Sequence, residues 1–323
     1  MNDATEKKSV VVTGAAGYIG GQTVLQFSDA GYTVIGIDKK TPNKNVLSAL
    51  TKYVPSEFST DRAVESIADS SPRAIIHCAG ESLVAPSIKN PETYFTNNFI
   101  RTKKFVDSLL SHKIFSKFIF SSSAAVYGNP TRVPVKESDY CRPISPYGQS
   151  KLMTEMMLAS YHHAYDLDYC CFRYFNACGA DPDARHGQPK DATHIIPRII
   201  NSIQNNTHFI LNGKNYDTPD GTCVRDYVHV ADIARAHLIA VEKNVPCQSY
   251  NLGNNTGISN LEIIDTTQEI IGKKLSWYYG KDRSGDPSRL ITDSSLFNKV
   301  SGWESQYKIN DMLQHAWNWH NKR

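Results

Sequence analysis

The sequence has no long apolar run and little net charge, and these two features exclude several classes of protein. No uninterrupted apolar stretch approaches the length of about 20 residues that crosses a bilayer. The formal net charge is only +3, and no basic segment carries interleaved aromatic side chains. We therefore expect small-molecule partners rather than a nucleic acid or a membrane.

Cysteine and histidine are too scattered to predict a disulfide frame or a metal site. The 7 cysteines are odd in number and include no Cys-x-x-Cys pair, and the 11 histidines show no His-Glu-x-x-His spacing. Reduced thiols and no metal are expected. The polar first residues continue into an apolar run without a signal-peptide pattern, which predicts a cytoplasmic protein.

Short apolar runs alternate with longer helical patterns along the first half of the chain. The runs occupy residues 10–13, 33–37, 74–77, 117–121 and 168–174. This alternation predicts an α/β protein with a doubly wound parallel sheet of the Rossmann type. After Asn176 the pattern becomes mixed, so we expect a first domain at residues 1–178 and a smaller mixed α/β domain at 179–323. Residues 223–253 are regular enough to return to the first domain.

A glycine-rich turn, TGAAGYIG at residues 13–20, lies between the first apolar run and a helical pattern. Gly14 allows a tight turn, Gly17 lets the backbone approach a pyrophosphate, and Gly20 lets helix and strand pack closely. The N-terminus of the helix would face the phosphates. A purely structural glycine turn is the alternative.

An acidic residue at the end of the second apolar run favours the nucleotide-binding interpretation. Asp38 stands eighteen residues after Gly20, where a carboxylate can accept hydrogen bonds from the adenosine ribose. This residue predicts NAD as the cofactor. Lys39 and Lys40 leave NADP open, because basic side chains there would bind its additional phosphate, although Asp38 would repel that group.

The segment SPYGQSK carries a tyrosine and a lysine one helical turn apart. Of the 17 tyrosines, only Tyr147 has a lysine four residues on, Lys151. A free tyrosine has a pKa of about 10, so we expect the lysine charge to lower the pKa of Tyr147 and make it a base. Ser123 would hydrogen-bond the same substrate oxygen. An exposed helical pair is the alternative, but the glycine turn and the helix start at Ser145-Pro146 favour hydride chemistry on a nicotinamide.

These segments resemble the extended short-chain dehydrogenase/reductase family, and within it the UDP-glucose 4-epimerases. TGAAGYIG, FSSSAAVYG and SPYGQSK are similar to the cofactor and catalytic motifs of the superfamily, whereas RYFNACGADP and DTPDGTCVRDYVHV resemble the sugar-nucleotide epimerases. Related dehydratases would carry an acidic pair where this chain has Ala124 and Ala125. The resemblance implies NAD-dependent 4-epimerisation of a UDP-hexose through a 4-keto intermediate, with Ser123, Tyr147 and Lys151 as catalytic residues.

The resemblance also implies binding residues, position by position. Residues 1–178 would form the NAD-binding domain and residues 179–323 the domain that binds the nucleotide sugar. The implied cofactor contacts are Gly14, Gly17, Tyr18, Ile19, Gly20, Asp38, Ala79, Gly80, Asn98, Tyr147, Lys151 and Tyr174, of which the last would set the nicotinamide face. The implied contacts to a UDP-sugar are Ser123, Tyr147, Asn176, His194, Arg225, Arg283, Asp286 and Leu290.

Each of the implied sugar-nucleotide contacts has a physical reason and an ordinary alternative. Arg225 and Arg283 would clamp the diphosphate, because a guanidinium fork pairs with phosphate oxygens. Asn176 would also hydrogen-bond the diphosphate, and Asp286 would accept from the uridine ribose. Without the resemblance, Arg225-Asp226 would be interpreted as a surface ion pair and the other polar positions as turn residues.

Three departures from the epimerase pattern concern the cofactor and the sugar. Ser82 stands where a lysine near the cofactor is usual, and Glu57 replaces an aspartate near the adenine. Leu290 replaces a tyrosine of members restricted to unsubstituted hexoses, so we expect a pocket that admits an N-acetyl group at C2, unless Arg289 fills the same space. The segment AGESLVAPSI is more similar to the dehydratases, which suggests a divergent epimerase with an altered sugar.

Two other functions and one assembly also follow from the sequence. A sugar-nucleotide reductase or decarboxylase would share the fold and catalytic residues, and a non-catalytic NAD-binding protein would keep only the glycine turn. Apolar residues on more than one face of the helical patterns at Pro91–Ser111 and Pro146–Tyr165 predict a homodimer. Burial of these faces under the second domain is the alternative.

Overall fold

The computed structural model describes residues 8–282 and 287–322, and a parallel sheet of seven strands dominates it. The described strands are β1 Ser9–Thr13, β2 Thr33–Asp38, β3 Lys52–Pro55, β4 Ala74–His77, β5 Lys117–Ser123, β6 Tyr169–Tyr174, β7 Asn176–Cys178, β8 Phe209–Asn212, β9 Val224–His229, β10 Ser249–Leu252, β11 Gly257–Ser259, β12 Trp277–Gly280 and β13 Arg289–Leu290. The large sheet has the order β10-β6-β5-β4-β1-β2-β3. The predicted doubly wound parallel sheet is confirmed.

The strand order reverses beside β1, and this reversal creates a crevice for a ligand. The chain runs outward through β2 and β3, and β4 then pairs with the other edge of β1. In open parallel sheets, ligands bind outside the carboxyl ends of the strands at such a reversal. The glycine turn after β1 and the segment after β4 therefore meet at the expected binding crevice.

The described helices cover both faces of the large sheet and pack on the smaller sheets. They are α1 Tyr18–Asp29, α2 Lys44–Ala49, α3 Asp61–Ala68, α4 Val84–Lys89, α5 Pro91–Tyr94, α6 Arg101–Ser111, α7 Pro146–Tyr165, α8 Ile195–Asn205, α9 Val230–Glu242, α10 Asn260–Ile271, α11 Ser295–Ser301 and α12 Ile309–Asn321. A π-helical turn at Phe95–Ile100 joins α5 to α6. None of these helices is long and apolar enough to cross a membrane.

The strands of the large sheet are apolar at consecutive positions because both of its faces are buried. Val10 and Val12 pack into a core with α1 and α9, whereas Val11 packs into a second core with α3 and α6. A strand covered on both sides needs no polar alternation. The buried strands therefore give continuous apolar runs in the sequence. The edge strand β3 is only partly buried and gives no such run.

A smaller unit lies beyond the carboxyl end of β6. It contains a four-stranded sheet, in which β9 pairs with β11, β13 and β7. It also contains the two-stranded sheet β12-β8. Helices α8, α10 and α12 share a separate core with these strands. Strand β10 returns to the large sheet, and α9 packs against α1. The described part of the smaller unit therefore lies beside the large sheet rather than on a distant module.

The loop that follows β7 holds the two units together. The Tyr18 hydroxyl donates to the Gly179 carbonyl at 2.8 Å, and the Gln22 side chain donates to the fully buried Asp181 at 3.0 Å. Arg185 pairs with both Asp181 and Asp29. These contacts join the smaller unit to α1, the helix that follows the glycine turn.

Candidate active site

The turn between β1 and α1 is built from backbone that approaches itself too closely for side chains. Gly14 has a φ of +72°, and a Cβ at this position would lie 2.7 Å from the backbone nitrogen of Ala79. A Cβ at Gly20 would lie 2.1 Å from the Gly14 carbonyl oxygen. Gly17 is the N-cap of α1 and supplies no side-chain cap. The first turn of α1 therefore presents backbone N–H groups toward the crevice, which fits a pyrophosphate.

Asp38 is fixed at the carboxyl end of β2, next to this turn. Its Oδ2 accepts from the Ala16 backbone nitrogen at 3.0 Å, and its Oδ1 accepts from the Lys40 backbone nitrogen at 2.8 Å. The Tyr53 hydroxyl lies within hydrogen-bond distance of the carbonyls of Asp38 and Lys40, at 3.1 and 3.0 Å. The carboxylate is thereby held where an adenosine ribose would lie, while Lys39 and Lys40 are exposed.

A second acidic residue near this edge has an unused oxygen. Glu57 accepts from the Ser59 hydroxyl at 2.6 Å through Oε2, but its Oε1 is buried and has no hydrogen-bond partner among the described residues. An orphaned buried acceptor is costly and fits a ligand that brings a donor. Glu57 therefore fits the adenine end of a dinucleotide in spite of replacing the expected aspartate.

The segment after β4 is held in the crevice by Asn98. The Asn98 Oδ1 accepts from the Glu81 backbone nitrogen at 2.7 Å, and its Nδ2 donates to the Glu81 carbonyl and to Ser150 Oγ, both at 3.1 Å. Gly80 lies against the same side chain and toward Lys151. The amide of Asn98 thus fixes the loop against α7, while Ser82 in that loop is exposed.

The three predicted catalytic residues come together at the carboxyl edge of the sheet. Ser123 ends β5, and Tyr147 and Lys151 lie one turn apart near the start of α7. Helix α7 begins as predicted, because the Ser145 hydroxyl accepts from the Gly148 backbone nitrogen at 3.2 Å and a proline follows it. Tyr147 and Lys151 are both buried. The alternative of an exposed helical pair is wrong.

The electrostatics of this pair differ from the expectation. Burial raises the pKa of Tyr147, and a hydrogen bond with Ser123 opposes that rise. Burial also lowers the pKa of Lys151 to about 8. The expectation of a lowered pKa for Tyr147 is therefore wrong. The lysine Nζ donates to the Ser121 carbonyl at 2.7 Å and lies 5.9 Å from the Tyr147 ring centroid, so the desolvation of the phenolate outweighs its charge.

Tyr174 ends β6 on the floor of the same crevice. Its hydroxyl lies 3.0 Å from Ser121 Oγ and 2.6 Å from His237 Nε2. No motif in the sequence indicates His237, because it is a single histidine in an amphipathic helix. The Tyr174 hydroxyl thus has two protein partners beneath the predicted catalytic residues.

A buried ion pair under α7 was also missed. Glu155, one turn after Lys151, pairs with Arg173 of β6 at 2.6 Å and accepts from the hydroxyls of Ser122 and Ser249. Both charged side chains are buried. The available signal was an arginine inside an otherwise apolar strand, since a buried charge requires a partner.

The residues expected at the diphosphate lie on β7 and β9. Asn176 donates from Nδ2 to the Asp226 carbonyl at 2.8 Å, and Arg225 is mostly buried in β9. Asp226 is fully buried and accepts from the backbone nitrogens of Asn254 and Thr292, so the alternative of a surface ion pair is wrong. Burial raises the pKa of Asp226 to about 7.

Of the four remaining residues that were predicted to contact the substrate, two lie within the described residues. Leu290 lies opposite Arg225 in the β13–β9 pairing and packs at the edge of a small apolar cluster with Leu152 and Cys141. His194 is the N-cap of α8, and its Nδ1 lies 3.2 Å from the Gln188 side-chain nitrogen. The predicted residues Arg283 and Asp286 lie outside the described residues.

Comparisons with known proteins agree with this geometry. The model of the NAD dependent epimerase/dehydratase family matches residues 10–253. A UDP-glucose 4-epimerase of Halalkalibacterium halodurans is 39% identical and covers 97% of this chain and 95% of its own. The crystal structure of the Bifidobacterium longum UDP-glucose 4-epimerase in complex with NAD+ and UDP is similar with a TM-score of 0.91, at 31% identity and 98% coverage of both chains.

An enzyme named for two UDP-sugars is also similar in structure. The UDP-Glc/GlcNAc 4-epimerase of Campylobacter jejuni has a TM-score of 0.83 and 31% identity, over 98% of this chain and 100% of that chain. The match of the family model and the full-length similarity confirm the predicted family and the predicted cofactor. The chain therefore belongs to the NAD-dependent epimerase/dehydratase family, as a UDP-glucose 4-epimerase-like isomerase that works with NAD.

Proposed function

We propose that the protein interconverts UDP-glucose and UDP-galactose through a 4-keto intermediate. The observation that carries this proposal is the meeting of Ser123, Tyr147 and Lys151 in a buried crevice beside the glycine turn. The positions after Ser123 hold Ala124 and Ala125, so this stretch lacks the acidic pair that a dehydratase would need to eliminate water. The full-length relatives named as UDP-glucose 4-epimerases support the same reaction.

In the proposed mechanism, Tyr147 accepts the proton of the sugar 4-hydroxyl. Ser123 hydrogen-bonds the same oxygen, so that the proton and the developing carbonyl are held at one place. NAD, held along the glycine turn and at Asp38, would supply a reversible hydride acceptor for C4 of the sugar. Tyr147 gives the proton back to the 4-oxygen, and the cycle ends with no net oxidation.

Lys151 supports the proton transfer from beneath the tyrosine. Its ammonium donates to the Ser121 carbonyl and lies 4.8 Å from the centroid of the Phe120 ring, in a site closed to water. A fixed charge in such a site stabilises a negative charge on the phenolate more than it would in water. We propose that the charge of Lys151 acts when the proton leaves Tyr147, and that it holds the cofactor ribose as well.

The proposal places binding energy on the nucleotide rather than on the sugar. Arg225 and Asn176 lie together on neighbouring strands β9 and β7, where they would hold the diphosphate, and Arg283 and Asp286 would add a second arginine and a ribose contact. His194 would contact the sugar nucleotide from the start of α8. A sugar that must expose both of its faces to one cofactor cannot be gripped tightly, so the clamp belongs on UDP.

We further propose that the sugar pocket accepts an N-acetyl group at C2. Leu290 has no ring or hydroxyl to occupy that space, and it is only partly buried against the cluster that contains Ala124 and Tyr127. Arg289, the alternative occupant of this space, is exposed. The similarity to an enzyme named for both UDP-Glc and UDP-GlcNAc supports this broader substrate range.

We also propose that the protein is a homodimer. Helix α7 exposes one stripe consisting of Gln149, Met153, Met156, Ser160 and His163. Met156 is 62% exposed, and Ile100 at the neighbouring helix start is 56% exposed. Burial of these side chains against a second copy would remove apolar surface from water.

The proposed function has a direct test. The purified protein is mixed with UDP-galactose without added cofactor, and the anomeric proton of the sugar is followed by NMR. We expect UDP-glucose to form, and acid extraction of the protein to release NAD. A requirement for added reduced cofactor, or release of carbon dioxide from a UDP-uronic acid only, would favour the reductase or decarboxylase instead. The absence of any conversion, with NAD bound, would favour a binding protein.

A further inference from the structure

His237 of α9 lies between the cofactor helix and the floor of the active site, and the proposed mechanism does not use it. Its side chain is fully buried. Both ring nitrogens have partners, because Nδ1 lies 3.0 Å from Thr23 Oγ1 and Nε2 lies 2.6 Å from the Tyr174 hydroxyl. A buried ring engaged at both nitrogens connects two parts of the protein that the chain keeps far apart.

The hydrogen bond from Thr23 to the Ile19 carbonyl indicates how the protons are arranged around this ring. The Thr23 hydroxyl donates its single proton to the Ile19 carbonyl at 2.9 Å, so its oxygen must accept from His237 Nδ1. Burial lowers the pKa of His237 to about 3, and the neutral ring therefore carries its proton on Nδ1 alone. The bare Nε2 then accepts from the Tyr174 hydroxyl.

The same chain of hydrogen bonds continues to the catalytic lysine. The Tyr174 hydroxyl, having donated to His237, lies 3.0 Å from Ser121 Oγ, and Ser121 Oγ lies within donating distance of Cys78 Sγ as well, at 3.2 Å. The backbone carbonyl of Ser121 accepts from Lys151 Nζ at 2.7 Å. One continuous path therefore runs from the first turn of α1, through α9 and β6, to the ammonium group in the active site.

We propose that His237 is a positioning residue for the epimerisation, which holds Tyr174 and Ser121 in one orientation and so fixes the floor on which the nicotinamide rests. This inference rests on the proposed function. The sugar rotates in the pocket to present its other face, so the cofactor has to stay in a fixed position. Hydride transfer requires the reacting atoms in close and defined contact. A tyrosine hydroxyl held between His237 and Ser121 has little freedom to rotate.

Replacement of His237 by glutamine or by asparagine tests the contacts of its two ring nitrogens separately. In His237→Gln the amide reaches the position of Nε2 and can still accept from Tyr174, whereas in His237→Asn it reaches only the position of Nδ1. We expect His237→Gln to keep kcat within about threefold of wild type and His237→Asn to lose about 10- to 100-fold, with KM for the UDP-sugar unchanged in both. Equal losses in kcat, or a change confined to KM, would overturn the proposal.

A double variant tests whether His237 acts through Tyr174. We expect Tyr174→Phe to lower kcat, and the addition of His237→Asn to lower it no further, because both substitutions remove the same hydrogen bond. Losses that multiply in the double variant would show that the two residues act separately. Circular dichroism of each variant checks that it folds.

The tautomer can be measured without any activity. Nitrogen-15 NMR of the purified protein should show a neutral His237 ring protonated at Nδ1, and a ring protonated at Nε2 or charged near neutral pH would overturn the proposal. If wild type interconverts no UDP-sugar, the proposed function fails and the role of His237 in it fails too. If wild type is active and His237→Asn is equally active, only the role of His237 fails.

Discussion

At the scale of single residues, burial dominates the chemistry of the candidate site. Tyr147, Lys151 and Tyr174 all lie in surroundings that disfavour a charged side chain, and the pKa of each is displaced in that direction. A charge in this crevice therefore forms only where a specific partner stabilises it. The proton acceptor Tyr147, the charge of Lys151 and the space beside Leu290 can each be tested.

Replacement of Tyr147 by phenylalanine should abolish turnover and leave UDP-sugar binding nearly intact. The substitution removes the proton acceptor and little volume, and lost acid-base catalysis costs about a hundredfold or more in kcat. Steady-state kinetics and a binding titration measure the two effects separately. Tyr161→Phe on the same helix is the control and should keep the wild-type rate. If Tyr147→Phe keeps more than about a tenth of that rate, Tyr147 is not the base.

The catalytic rate should fall as pH rises through the pKa of Lys151. Burial depresses this pKa to about 8, so the ammonium is charged below that pH and is neutral above it. Loss of the charge removes stabilisation from the phenolate of Tyr147. The pH profile of kcat with saturating UDP-galactose measures this limit. A rate that stays level well above pH 8, in protein shown to remain folded, would contradict the assignment.

Replacement of Leu290 by tyrosine should select against N-acetylated sugars. A ring at this position would overlap the acetamido group at C2, and a site that loses space discriminates between sugars that differ there. The measurement is the ratio of kcat/KM for UDP-galactose to that for UDP-N-acetylgalactosamine. Leu290→Met, which keeps the volume, should leave the ratio unchanged. The same ratio in wild type and Leu290→Tyr would show that Leu290 does not gate the pocket.

At the scale of elements, α7 depends on its first turn. Ser145 caps the helix two residues before Tyr147, and its hydroxyl is the acceptor for an N–H group that the helix itself cannot satisfy. Tyr147 therefore lies on the part of the helix where fraying would begin. Beneath the next turns, the pair of Glu155 and Arg173 attaches α7 to β6.

Replacement of Ser145 by alanine should lower the free energy of unfolding by about 1 kcal/mol, the usual cost of a lost helix cap. Denaturant unfolding measures this change. Ser160→Ala in the exposed middle of the same helix is the matched control and should cost nothing, since alanine is the better helix former there. Equal effects at the two serines would show that the cap contributes no stability.

At the scale of the whole molecule, the described structure leaves two methionines, Met153 and Met156, exposed in one stripe of α7. The alternative that the second unit covers this face is wrong, because Met153 and Met156 are exposed. The opposite side of α7 contributes Met157 and Leu158 to a core of the large sheet. One helix thus serves the active site and core on one side and an open surface on the other.

Replacement of Met156 by lysine should convert the proposed homodimer to a monomer, because it would place a charge in an apolar interface. Light scattering at micromolar concentration measures the mass of the particle. Leu47→Lys on α2, another exposed apolar residue, is the control and should leave the mass unchanged. Wild-type protein that is already a monomer would remove the proposal of a dimer.

The sequence by itself determined the sheet, the glycine turn and the catalytic segment of this protein. These features are local in the sequence. Burial on both faces makes the strands continuously apolar. The turn is encoded by closely spaced residues such as Gly14, and the start of α7 is encoded by Ser145 and Tyr147. Only the tertiary structure decided the burial of Asp226, the direction of the Tyr147 pKa shift and the contacts of His237. Each of these depends on groups more than twenty residues apart in the chain, and desolvation is set by what packs around a side chain rather than by its neighbours in sequence.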